Sequence, residues 1–129
     1  TFTYLAQTLI EDYPQLTIKT IPGVSSPMAS ASVLGIPLTL RSQGLAILPA
    51  LYNLAELEQV LRWADVIVLL KVSSVYDQVW NSLQRLDLLD NAFVVERATQ
   101  PEQKIYKNLR HHRHLSLSYF SLMIIQVKQ

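Results

Sequence analysis

An α/β domain, with a layered mixed sheet of about five strands and helices on both faces, is the fold this sequence predicts, and three observations predict it. Asp65 introduces VIVLLKV, an unbroken apolar and β-branched run at 66–72 that suits an interior strand buried on both faces. Stretches with apolar residues at helical spacing alternate along the chain with short apolar runs, the pattern of layered α/β folds. Half of the 129 residues are apolar and only 16% are charged, which is enough for one domain, 1–129, with a real core.

The elements follow in order. Phe2, Leu5, Leu9 and Ile10 recur at helical spacing, and Tyr13-Pro14 closes that helix because the residue before proline disfavours the α region. Residues 16–21, rich in β-branched side chains, read as a strand that Pro22-Gly23 stops. Ser25 and Ser26 stand before Pro27, where serine hydroxyls can accept from the orphan N–H groups of a helix and proline loses no hydrogen bond. That helix is rich in alanine and serine and ends at Gly35, ahead of Pro37. Residues 45–48 form a short strand broken by Pro49, and Asn53 caps a helix that buries Leu54, Leu57, Val60, Leu61 and Ala64. After the apolar strand, Ser73 or Ser74 caps a helix with Val75, Val79, Leu83 and Leu86 as its stripe and Trp80 beside it. Asp90-Asn91 turns the chain into a strand at 92–96, residues 104–110 read equally as strand or helix, and 115–127 form a long last strand.

Composition narrows the function. A net charge of +1 gives no bulk attraction to nucleic acid or to an acidic membrane. No cysteine is present, so a disulfide framework and a thiolate metal site are excluded, in keeping with a cytoplasmic location. No apolar run reaches the roughly 20 residues that span a bilayer, and no leader pattern precedes the first helix. The chain opens TFTYLAQTLI without methionine, inside an amphipathic pattern, and so reads as the interior of something longer.

Candidate chemistry is sparse. His111, His112 and His114 lie in RHHRH, but adjacent histidines diverge and no acidic residue stands beside them, so a solvated basic turn outweighs a metal site. Lys71 ends the apolar strand, where α/β sheets bind ligands, although a snorkelling surface lysine is the plainer reading. No Walker loop, GxGxxG, GxSxG or HExxH is present. The turn at 22–27 offers backbone donors and two hydroxyls at a helix N-terminus, which suits an anionic or electron-rich ligand group.

Four segments, IPGVSSPMASASVLGIPLT at 21–39, VIVLLKV at 66–72, VERATQPEQKI at 95–105 and YFSLMII at 119–125, together resemble the C-terminal half of the tetrapyrrole methylases. PGVSS, the LKV strand end and YFSL resemble most the branch that methylates C-20 of precorrin-2 in cobalamin synthesis, and TFTYL resembles the tail of that branch's GDPSxYSTFxYL stretch. The resemblance implies S-adenosylmethionine as cofactor and a second α/β domain, N-terminal to this one, that completes the cleft for cofactor and macrocycle. It implies that Ser25 and Ser26 hold the methionine end of the cofactor. Leu70, Lys71, Ala98, Thr99, Phe120, Ser121 and Leu122 would line the adenosine pocket, largely through main-chain groups. No catalytic side chain and no metal are implied, since the sulfonium is already activated and positioning does the rest. Two departures stand out: Ser118 replaces a frequent proline, and Leu70 a common methionine. A precorrin-2 substrate, a homodimer, and neither nucleic acid nor membrane complete the expectation. The alternatives are another tetrapyrrole methylase, acting on a different carbon or a cobalt-containing macrocycle, and a module that kept the fold but lost catalysis.

Overall fold

Strands β1 (Leu45–Leu48), β2 (Val66–Leu70), β3 (Ala92–Glu96), β4 (Lys104–Tyr106) and β5 (Ser121–Gln126) form one mixed sheet in the order β1-β2-β5-β3-β4. The computed structural model describes residues 2–128. β1 and β2 are parallel, whereas β5 runs antiparallel to both β2 and β3. β2 and β3 therefore end at the same edge of the sheet, and β5 begins there, with Leu70 opposite Leu122 and Leu122 opposite Val95.

Four α-helices accompany the sheet: α1 (Phe2–Asp12), α2 (Ser26–Leu34), α3 (Leu54–Leu61) and α4 (Tyr76–Arg85). The two faces of β2 separate by the two-residue period of a strand. Val66 and Val68 pack with Ala31 and Leu34 of α2, while Ile67 and Leu69 join Leu57 of α3 and Val79 and Leu83 of α4. Helices thus cover both faces, and truncating a fully buried leucine such as Leu57 or Leu83 to alanine costs about 2–5 kcal/mol.

Several local expectations change. Residues 16–21 pair with no strand and are largely exposed, because β-branched residues make a strand only where a sheet edge receives them. α1 and the segment after it join neither core cluster, and Ile21 and Val24 are 80% and 82% exposed. Neither Ser73 nor Ser74 caps α4: Lys71 adopts a left-handed backbone and turns the chain into a 3-10 turn at Val72–Ser74, and α4 starts at Tyr76. Leu86 leaves the stripe, 51% exposed, and Tyr76 and Trp80 bury in its place. The last strand is shorter than its pattern, since residues 115–120 approach the sheet as a loop with Leu115 and Leu117 packed on the core. Residues 104–110 divide between β4 and a 3-10 turn at Leu109–His111.

The RHHRH segment serves α4. Trp80 Nε1 donates to the Leu109 carbonyl at 2.7 Å and the Tyr76 hydroxyl to that of His112 at 2.5 Å. Arg113 lies 4.6 Å from the Trp80 ring centre and pairs with Asp77, and Arg110 pairs with Asp87 and Asp90. Among the described residues no three metal-ligating side chains gather.

Candidate functional site

A cleft of about 350 Å³ opens where β2 and β3 end and β5 begins, under the first turn of α2. Eight of the nine residues singled out in the sequence line it: Ser26, Leu70, Lys71, Ala98, Thr99, Phe120, Ser121 and Leu122. Ser25, the ninth, occupies the N-cap position of α2 but does not line the cleft. Four separate stretches of chain meet here because β5 inserts between β2 and β3, so the carboxyl ends of two strands and the amino end of a third share one edge.

α2 supplies the roof. Its buried face is Pro27, Ser30, Ala31 and Leu34, small enough at the near end for the helix to lie against Val95 and Leu122. Gly35 ends it in the left-handed conformation, φ 69°, with the Ile36 N–H bonded to the Ala31 carbonyl, a termination open to glycine at little cost. The expected serine cap is absent: the Ser25 hydroxyl bonds none of the first-turn N–H groups, which stay open to an outside acceptor. Its carbonyl instead accepts from Ala29 in the ordinary helical way.

The floor is strained. Lys71, Arg97 and Thr99, each just past a strand end, have φ of 55°, 50° and 67°, and a non-glycine residue there is held by its surroundings at a cost of about 1–3 kcal/mol. The Arg97 N–H donates to the Phe120 carbonyl at 2.8 Å and the Thr99 N–H to Gln103 Oε1 at 2.6 Å, which hold the turn. Strained backbone of this kind clusters at ligand sites.

The wall is both polar and apolar. Ser30, fully buried, and Ser121, 4% exposed, have hydroxyls without a protein partner, whereas buried polar groups are normally satisfied. Leu70, Val95 and Leu122 supply apolar surface between them. Its interaction with the Tyr119 hydroxyl, foremost as a hydrogen-bond partner, holds the Lys71 ammonium above the usual lysine range. The lining contains no aspartate or glutamate, so no general acid or base of that kind faces the cleft.

The sequence reading missed Val24, Ala29, Ser30, Val95, Arg97, Gln100 and Tyr119. Ala29 and Ser30 lie three and four residues beyond Ser26, one helical turn inward, so helical spacing signalled them once Ser26 was chosen. Arg97 and Tyr119 precede Ala98 and Phe120 directly, and only the sharp turns there bring both neighbours to the same side.

Residues 1–111 match the family profile Tetrapyrrole (Corrin/Porphyrin) Methylases. Over 105 residues, 81% of this chain and 20% of the relative, the sequence is 33% identical to the cobalamin biosynthesis protein CobIJ of Mycobacterium tuberculosis (strain ATCC 25618 / H37Rv). Over 109 residues, 84% of this chain and 46% of the relative, it is 29% identical to the cobalt-precorrin-2 C(20)-methyltransferase of Salmonella typhimurium. The chain thus spans less than half the length of these curated relatives. Its fold matches that of the cobalamin biosynthetic enzyme cobalt precorrin-4 methyltransferase with a TM-score of 0.72 at 17% identity, covering 99% of this chain and 60% of that one. It also matches the uroporphyrin-III C-methyltransferase of Thermus thermophilus solved with S-adenyl homocysteine, with a TM-score of 0.63 at 20% identity, over 95% of this chain and 57% of that one. With a profile match across most of its length and the fold to go with it, this chain belongs to the tetrapyrrole methylases.

Proposed function

We propose that this chain forms the cofactor-binding half of an S-adenosylmethionine-dependent methyltransferase that methylates the meso carbon C-20 of precorrin-2 in cobalamin biosynthesis. The observation that carries the reading is the convergence of strand ends and the start of α2 on one cleft whose buried Ser30 and Ser121 hydroxyls have no protein partner. The cofactor fits these residues: unsatisfied hydroxyls and open helix amides meet its polar parts, and Leu70, Val95 and Leu122 meet a purine. When bound, S-adenosylmethionine supplies a methyl group on an electron-poor sulfonium.

The chain's own residues then bind, orient and exclude water. Ser26 and the first amides of α2 receive the methionyl carboxylate, with Ser25 next to them at the N-cap position just outside the cleft lining, where the helix dipole favours negative charge. Main-chain groups of Leu70, Lys71, Ala98, Thr99, Phe120, Ser121 and Leu122 frame the adenosine. Strain at Lys71, Arg97 and Thr99 fixes that frame before the ligand arrives, so little ordering remains at the moment of reaction, and orientation supplies much of the acceleration. A second domain, N-terminal to this one, closes the cleft from the other side. The apolar side chains of Tyr4, Leu5, Ile10 and Ile21, exposed here, suit the packing of that domain or of the second subunit of a homodimer. No described helix is long and apolar enough to cross a membrane, and we place the enzyme in the cytoplasm.

A second reading is favoured by the Salmonella relative, whose name specifies cobalt-precorrin-2: the same carbon is methylated on a macrocycle that already holds cobalt. One experiment tests both. The full-length protein is given precorrin-2, with and without cobalt, together with 13C-methyl-labelled S-adenosylmethionine. A single labelled methyl at C-20 is expected, and the preferred macrocycle decides between the two. Label on another carbon makes the enzyme a different methylase, and absence of transfer with ligand still bound makes the domain a non-catalytic module.

A further inference from the structure

Four side chains cross the mouth of the cleft in a row. The Lys71 ammonium lies 5.5 Å from the centre of the Tyr119 ring, that ring meets Phe120 edge-on at 5.5 Å, and the Arg97 guanidinium lies 5.2 Å from the centre of the Phe120 ring. Cation, ring, ring, cation is a sequence that sheet topology makes: Lys71 follows β2, Arg97 follows β3, and Tyr119 and Phe120 lead into β5 between them. Two interstrand spacings, about 10 Å, separate β2 and β3, the strands that Lys71 and Arg97 follow.

The row is poised for something outside the chain. Tyr119 is 60% and Phe120 57% exposed, which leaves two adjacent aromatic faces in solvent. Among the described residues Lys71 and Arg97 are absent from the ion pairs that engage Arg110, Arg113 and Lys128; Lys71 meets Tyr119, and Arg97 meets the Phe120 ring and, at a long 3.5 Å, Gln100 Oε1. No carboxylate lines the cleft to neutralise them. Both cations sit on left-handed backbone, so their Cα–Cβ directions are fixed by strained turns rather than left to a flexible loop.

We propose that Lys71, Tyr119, Phe120 and Arg97 form a ledge that seats the carboxylated rim of the tetrapyrrole substrate. The macrocycle lies on the face of one ring of this perpendicular pair and meets the edge of the other, and two of its peripheral carboxylates reach the flanking cations. The proposal rests on the methyltransferase reading above and gives the side chains of Lys71 and Arg97 a task separate from the main-chain frame for the cofactor. Arginine pairs with carboxylate in two parallel hydrogen bonds and lysine as a point charge, so the Arg97 end sets orientation and the Lys71 end adds attraction. Tyr119 and Phe120 give the conjugated ring a surface without demanding a particular substituent, and the cations select for charge at its edge.

The test uses the full-length protein and two stable planar probes, uroporphyrin III with eight carboxylates and coproporphyrin III with four, with S-adenosylhomocysteine titrated in parallel. Lys71→Gln and Arg97→Gln are each expected to weaken uroporphyrin binding by about tenfold, the effect of losing one hydrogen-bonded charge. The double variant should lose more and lose the preference for uroporphyrin over coproporphyrin. S-adenosylhomocysteine affinity should hold within about threefold, because its contacts at Lys71 are main-chain. Lys71→Arg and Arg97→Lys keep the charges and should keep most of the porphyrin affinity, which separates lost charge from lost fold. Unchanged uroporphyrin affinity in the double variant overturns the ledge, and so does an equal loss for both ligands, which would assign the cations to the cofactor. Wild-type protein that binds S-adenosylhomocysteine but no porphyrin also overturns the ledge and leaves the methyl-donor reading standing. Porphyrin binding that depends on both cations, without any S-adenosylhomocysteine binding, supports the ledge and removes the methyltransferase reading alone.

Discussion

Glu96 Oε1 accepts the main-chain N–H of Ser118 at 2.8 Å, tying the end of β3 to the strap that carries Tyr119 and Phe120 into β5. Glu96 is buried, and its second oxygen has no protein partner, like the Ser118 and Ser121 hydroxyls. Replacing it with alanine leaves the part-buried Ser118 amide unpaired, which costs about 1–3 kcal/mol. We expect Glu96→Ala to melt several degrees lower and to exchange the amides of residues 118–120 faster, while Glu96→Gln, which keeps an acceptor, stays near wild type. Unaltered exchange in the alanine variant would show that the strap holds without this bond.

Ser25, at the N-cap of α2, and Ser26, its first residue, separate stability from binding. Because the Ser25 hydroxyl caps nothing, the double variant Ser25→Ala, Ser26→Ala should lose less than the about 1 kcal/mol of a true cap. In the full-length protein we expect it to lose about tenfold in S-adenosylhomocysteine affinity, as removal of a charge-assisted hydrogen bond does. Calorimetry beside a thermal melt reads both quantities. A variant with wild-type affinity would move the methionyl end of the ligand away from this turn.

Tyr76 makes stability fall in alkali. Burial, then the Asp77 charge, pushes its hydroxyl up from 10.0 to about 12. A group whose pKa is raised on folding contributes stability that is complete below the unfolded value and is lost as pH rises through the folded one. Denaturant midpoints should therefore drop between pH 10 and about 12, and Tyr76→Phe should flatten that limb. The phenylalanine variant gives up the hydrogen bond to the His112 carbonyl and should be less stable at neutral pH by about 0.5–1.5 kcal/mol. An identical alkaline limb in both proteins would exclude Tyr76 as its source.

Asp65 acts at the other end of the scale. Its carboxylate accepts the Gly44 N–H at 2.8 Å and pairs with Lys128 at 3.0 Å, and the first of these contributes most to holding it below the usual 3.8. The sign is reversed here: stability is complete above the unfolded value and is lost as pH falls through the lower folded one. Asp65→Asn should show a shallower loss of stability in acid than wild type. Equal slopes would mean that other carboxylates set the acid limit.

The contrast between VIVLLKV and the run at 16–21 shows what was legible in the sequence. Val66–Leu70 carries its own burial signal, since a strand buried on both faces reads as a near-continuous apolar run, and both its faces are covered. Residues 16–21 carry only propensity, and propensity cannot supply the neighbouring strand that a ladder needs. The cleft was legible through the motifs around Ser26, Leu70, Ala98 and Phe120, which supplied the positions. Arg97 and Tyr119 were not, because alternation along a strand places neighbours on opposite sides, and only the left-handed turn at Arg97 and the loop entry at Tyr119 break that rule. The absent caps at Ser25 and Ser74 have different origins: α4 starts beyond Ser74, at a place set by a turn that composition does not encode, whereas Ser25 holds the N-cap position of α2 and its hydroxyl bonds no first-turn amide.

The order of the strands bears on how the protein is made. β5 is made after the other four strands of this sheet, yet it lies in the middle, and β2 and β3 each pair with it and not with one another. Until Ser121–Gln126 emerges, the native pairings open to the chain are confined to β1 with β2 and β3 with β4, each pair leaving an apolar edge unpaired. Closure is then a single late event that completes the hydrogen bonding of both halves, and the edge that bears the cleft comes into being in the same step. Translation pausing short of Ser121 would leave a chain in need of a chaperone, and release of the next few residues would end that need.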